Sequence, residues 1–140
     1  MRSASRDETA AARRFADTYA ADQTDAALLI ERDVIGASGG ANGYTTVDQA
    51  DLLAERLELR PGMRLLDIGA GRGWRGLHLA KRSGCDVVLS DLPPAGLRDA
   101  AARAHRDGLQ RRSACIAASA NALPCKPGAF DAVVHAEVLC

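Results

Sequence analysis

Aromatic residues are scarce in this chain: one Trp, two Tyr and two Phe make up 4% of its 140 residues. Any core must therefore be aliphatic, and with 47% hydrophobic residues there is enough to build one in about one domain. Cysteine is sparse as well. Cys85, Cys115, Cys125 and Cys140 form no C-x-x-C and no His/Cys grouping at metal-ligand spacing. They read as free thiols of a reducing compartment, with no metal centre. An excess of either charge is missing too, with 18 Lys+Arg against 18 Asp+Glu. A neutral chain has no bulk attraction for nucleic acid or an anionic membrane, and the Arg111-Arg112 pair reads as a solvated face. No apolar run approaches the roughly 20 residues of a membrane span. The opening MRSASRDETAAARRFADTYAADQ has no apolar signal core and carries acids, which argues against a secretory or transit peptide. The expectation is a soluble, cytoplasmic protein.

What is present is punctuation. Residues 7–21 and 24–35 are helix-compatible, and four glycines in 36–43 mark a flexible connection, either a linker or a flap near a ligand. Thr46 and Gln49 form a T-x-x-Q capping box, and the helix it opens should end near Leu59, before Pro61-Gly62. Strand and helix then alternate: strands at 64–68, 86–90, 113–118 and 130–136, helices at 73–83 and 94–107. That order predicts an α/β fold with a doubly wound parallel sheet. Residues 1–43 form an N-terminal helical segment and Gly-rich loop; 44–140 form the sheet domain. The chain stops where a covering helix is due, so the expectation is an N-terminal part of a longer protein, truncated after about four strands. Its bare sheet edge invites self-association.

The densest glycine lies in 65-LLDIGAGRGWRG-76, where Gly69, Gly71, Gly73 and Gly76 follow the first strand. Glycine there lets backbone approach a ligand, and free amides at the next helix start favour anionic groups. The loop is expected to cradle a nucleotide-like cofactor. Two fingerprints overlap. Gly71-x-Gly73-x-x-Gly76 has dinucleotide spacing; Asp67-x-Gly69-x-Gly71-x-Gly73 adds an acid that the dinucleotide pattern lacks. Arg75, in the first helical turn, opposes the helix dipole and reads as simply exposed.

The second pattern resembles motif I of the class I S-adenosylmethionine-dependent methyltransferases. Asp91 ends the second strand 24 residues after Asp67. The stretch 118-ASANALPCKPGAFDAVVHAEVL-139 is similar to a downstream segment of that family through Leu123-Pro124, Phe130-Asp131 and Val138-Leu139. The resemblance spans roughly 44–140 and points to the type 11/25-like small-molecule group. It implies a Rossmann-like fold and S-adenosyl-L-methionine as cofactor. Asp67, Gly69, Ala70, Gly71 and Gly73 would serve the methionine end, Asp91 and Leu92 the ribose, and Ser119, Ala120 and Leu123 the adenine. Tyr44 falls in a region that often lids the cofactor.

The sequence departs from the pattern at Ser119, which stands where an aspartate often meets the adenine amino group; Asn121 is a substitute. Cys125 replaces an aromatic residue. Gly76 reads as a close-packing position on the helix. His135, at the end of the fourth strand, is the candidate general base, and Glu137 is similar. His135-Ala136-Glu137-Val138 stands where amide- and adenine-nitrogen enzymes carry an Asn/Asp-Pro-Pro-aromatic motif. That leaves a small-molecule acceptor as the expected partner. The alternatives are an NAD(P)-binding oxidoreductase fragment and a catalytically inactive S-adenosylmethionine-binding module.

Overall fold

The computed structural model describes residues 5–21, 23–41 and 43–136. Three helices come first: α1 (Arg6–Ala20), α2 (Asp25–Ile35) and α3 (Val47–Arg56). Strands and helices alternate from there, as β1 (Arg64–Ile68), α4 (Trp74–Ser83), β2 (Asp86–Asp91), α5 (Pro94–Arg106), β3 (Ser113–Ala117) and β4 (Ala132–His135). The starts follow local chemistry. Ser5 and Glu8 form a capping box on α1, Thr24 caps α2, and Thr46 and Gln49 form the expected box on α3. Each puts a side-chain acceptor on an otherwise unpaired amide.

The four strands pair in parallel in the order β3-β2-β1-β4, which is a Rossmann-like sheet. Leu65, Leu66 and Asp67 of the central β1 are buried, as are Val87 and Leu89 of β2. Leu77, Leu79, Ala80, Leu97 and Ala100 of α4 and α5 join them in one aliphatic core. The edge strands are more open, with Val133 of β4 at 51% exposure.

β4 begins at Ala132, later than the expected 130. Asp131 does a different job there: its Oδ2 accepts from the Arg64 N–H at 2.7 Å. Its own N–H donates to the Arg64 carbonyl at 2.8 Å, docking the start of β4 on β1. Glu137, Val138, Leu139 and Cys140 lie outside the described residues.

Residues 36–41 of the glycine-rich connection fold back on α2. The amides of Gly39 and Ala41 both donate to the Glu31 carboxylate. A Cβ on Gly39 would stand 2.8 Å from the Trp74 ring, so the loop lies against the start of α4. At the other end of that helix's first turn, Gly76 closes α4 onto the sheet. A Cβ there would lie 2.5 Å from Leu89 Cδ2 and 2.8 Å from Asp67 Oδ2. Gly76→Ala gains helix propensity of about 1 kcal/mol but overpacks a seam, which costs about 1–3 kcal/mol. Net destabilisation of up to about 2 kcal/mol is expected in urea unfolding; a stabilised variant would show the seam to be loose.

Candidate functional site

A cavity of about 380 Å3 opens at the carboxyl ends of β1 and β2. The strand order reverses there, because β1 is followed on one side by β2 and on the other by β4. Crevices of parallel sheets form at such points. The loop after β1 makes one wall. The amides of Gly69 and Ala70 both donate to the Ser90 carbonyl, at 2.8 and 3.0 Å. The Gly71 amide donates to Asp91 Oδ2 at 2.7 Å. Gly71 has φ 53° and a Cβ on it would meet the Tyr19 hydroxyl at 2.8 Å, so both its conformation and its surroundings demand glycine.

Asp91 stands at the end of β2 with both carboxylate oxygens oriented by backbone. Oδ1 accepts the Leu92 amide at 2.7 Å, opposite the Gly71 bond on Oδ2. Each oxygen keeps a lone pair for a further donor. Burial raises its pKa above the ordinary 3.8, against the pull of the two amides.

Asp67 lies deeper and is fully buried. Its Oδ1 is ion-paired with the guanidinium of Arg75. Burial pushes the Asp67 carboxyl up, and the charge of Arg75 opposes that shift. Arg75 is therefore not the exposed residue that its place in the helix suggests; it is 8% exposed and lines the cavity. A carboxylate sealed in an aliphatic core needs a cation, and the first turn of α4, drawn close by Gly76, supplies it.

Arg72 is likewise buried. It pairs with Asp99 of α5 at 3.0 Å and donates to the carbonyls of Thr18, Tyr19 and Ala21 at 3.3, 3.2 and 2.9 Å. Those carbonyls end α1, which has no basic residue in its own last turn; Arg72 satisfies them from the Gly-rich loop. Held this way, α1 turns Ala11, Ala12, Phe15 and Tyr19 toward the cavity.

Of the residues singled out in the sequence, Asp67, Gly69, Ala70, Gly71, Asp91 and Leu92 line this cavity. Gly73 caps α4 and packs against Ala100, Leu77 and Leu89. Ser119 and Asn121 are bound to Glu8 of α1, at 2.5 and 3.0 Å. Ala120 is exposed and Leu123 half-buried, and neither is among the lining residues. Tyr44 is 82% exposed beside a second groove, while its neighbours Gly43 and Thr45 reach the first. His135 is exposed on β4, and the following Ala136 is the residue at the cavity. Glu137 falls outside the described residues.

Sequence reading missed Tyr19, Arg72 and Arg75. Helical spacing of Ala12, Phe15 and Tyr19 was a signal for the α1 face; nothing local marked the two arginines. Among the described residues no group of three or more His, Cys, Asp or Glu could hold a metal. No described helix is long and apolar enough to cross a membrane.

A family model described as a methyltransferase domain matches residues 65–140. An uncharacterized protein of Mycobacterium tuberculosis is 38% identical over 85 residues, covering 61% of this chain and 30% of that protein. The 24-methylenesterol C-methyltransferase 2 of Oryza sativa is 30% identical over 102 residues, 73% of this chain and 28% of the relative. Among solved structures, the (4+2)-cyclase SpnF superposes with a TM-score of 0.58 at 34% identity, covering 61% of this chain and 32% of that one. The chain thus spans about 30% of the length of the curated relatives that it matches.

Proposed function

This chain belongs to the class I S-adenosylmethionine-dependent methyltransferase domain family, and from that premise we propose that its cavity binds S-adenosylmethionine for methyl transfer to a small-molecule acceptor. The observation that carries the reading is Asp91. Its carboxylate is held at the end of β2 by the Gly71 and Leu92 amides, and two acceptor oxygens suit two vicinal ribose hydroxyls. The bare backbone at Gly69, with φ 69°, leaves room for the methionine end. Arg75 and Asp67 both line the cavity as an ion pair, so the charge offered to a methionine carboxylate there is the guanidinium, with Asp67 orienting it. In this reading Arg75 makes the contact with the carboxylate, and Asp67 acts through Arg75.

The cofactor, when bound, supplies a methyl group already activated on a sulfonium, which passes to an acceptor lone pair and leaves a neutral thioether. The protein's part is to position both reactants and to exclude water. His135 remains the proposed base for acceptors that must lose a proton; its exposed place one residue before Ala136 makes it a lining group only if the acceptor reaches past that residue.

Calorimetric titration of the chain with S-adenosylmethionine and, separately, NAD(P) tests the reading. Binding of the first alone is expected; binding of NAD(P) alone would sink it. Because a cyclase shares this fold at 34% identity, release of S-adenosylhomocysteine on supplying an acceptor must be followed separately from binding. Binding without turnover on any acceptor favours the inactive module.

The pH dependence follows from Asp91. Only its ionised form accepts from both hydroxyls, and burial raises its pKa above 3.8. Affinity is expected to hold near neutrality and then fall about tenfold per pH unit once the pH drops below that raised pKa. Calorimetry with S-adenosylhomocysteine from about pH 7 down to about pH 3 reads the onset. An unchanged affinity across that range would mean that the carboxylate does not carry the contact.

A further inference from the structure

The sheet order sets out the site as a line. β1, with the Gly-rich loop, lies beside β2, with Asp91, and β2 lies beside β3. A nucleoside whose ribose rests on Asp91 and whose side arm points to Gly69 directs its base toward the far end of β3. The turn after β3 holds Ser119 and Asn121. The Ala118 amide donates to the Asp91 carbonyl at 2.9 Å, so this turn begins beside Asp91.

Another element also ends at that turn. The Ser119 hydroxyl and the Asn121 amide both donate to Glu8 Oε1, and Glu8 Oε2 accepts the Ser5 amide at 2.8 Å. On α1, Glu8, Ala12, Phe15 and Tyr19 are spaced four, three and four residues apart, which puts them on one helical face. The last three of them line the cavity. Glu8 thus continues the cavity-facing stripe of α1 to the β3 end, while Arg72 pins the other end of the helix.

We propose that Glu8, supplied by α1 from outside the matched domain, accepts a hydrogen bond from the exocyclic amine of the bound purine and makes the site selective for a 6-amino over a 6-oxo base. The inference rests on the cofactor reading given above. Ionised glutamate is an acceptor only, with about four lone-pair sites, and three are taken by Ser5, Ser119 and Asn121. The remaining site suits an N–H donor and repels a carbonyl oxygen. Its donors hold the Glu8 carboxyl down at about 2, Ser119 contributing most, so the acceptor stays charged at neutral pH.

The test is calorimetry of the full chain with S-adenosylhomocysteine and S-inosylhomocysteine, which differ only at C6 and in the N1 proton that accompanies the 6-oxo form. The wild type is expected to favour the adenosyl compound at least about tenfold, the range of one charge-assisted hydrogen bond. Glu8→Gln keeps the capping box, since glutamine serves there as well as glutamate, and offers both a donor and an acceptor. It is expected to shrink the preference to about twofold or to reverse it. A Glu8→Gln variant that keeps the wild-type ratio, even with both affinities lowered alike, overturns the proposal and leaves Glu8 as a latch for α1. A wild type that binds neither compound overturns the cofactor reading itself, and this inference with it.

Discussion

Asp91→Ala is expected to weaken S-adenosylhomocysteine binding at least about 100-fold. Two hydrogen bonds to a charged acceptor contribute about 1.5–3 kcal/mol each, and alanine removes both. It also strands the Gly71 and Leu92 amides, which now rest on the carboxylate at 2.7 Å each. Asp91→Asn keeps part of both. Its carbonyl oxygen can still take the Gly71 amide, but its NH2 loses the Leu92 amide and faces the ribose as a donor. An intermediate loss of about tenfold is expected for Asn. Calorimetry reads the affinity, and urea unfolding of the same variants checks that the loop is intact. Wild-type affinity in the alanine variant would remove Asp91 from the site.

Arg75→Met carries the largest expected effect on stability. The guanidinium is the partner of Asp67, and the two side chains are 9% and 0% exposed. Removing one member of a buried pair leaves an uncompensated charge and costs about 3–5 kcal/mol. Part of that cost is escaped if Asp67 takes up a proton, so the variant should regain stability as the pH is lowered. The sign follows from the direction of the shift: without Arg75, burial raises the Asp67 pKa further, and protonation then favours the folded chain. Adding Asp67→Asn to Arg75→Met should restore much of the loss, because neither side chain is then charged. Urea midpoints of the four species form a double-mutant cycle. A cost below about 1 kcal/mol for Arg75→Met would mean that the pair behaves as if exposed.

Much of the sheet was legible because its signals are local. RLLDI and DVVLS announce buried parallel strands by composition, and the observed β1 and β2 match them to within one residue. Gly84 stops α4 as read, in the left-handed conformation that a side chain resists. The capping box at Thr46 and Gln49 formed as written in the sequence. The late start of β4 was not legible, since the reciprocal bonds between Asp131 and Arg64 span 67 residues. Arg75 was misplaced for a similar reason. The helix dipole argues for exposure, but a buried carboxylate eight residues earlier outweighs about 1 kcal/mol of dipole energy.

By itself the sequence determined the alternation of strands and helices, the glycine loop after β1 and the acid at the end of β2. These rest on periodicity, backbone freedom and chain order, which neighbouring residues express without the rest of the fold. Only the tertiary structure decided what closes the cavity. It brought α1 across the opening, set Arg72 on the last carbonyls of that helix, and joined Glu8 to Ser119 across 111 residues of chain. Hydrogen bonds and ion pairs of that range depend on which surfaces meet after the aliphatic core has formed, and no local pattern encodes them.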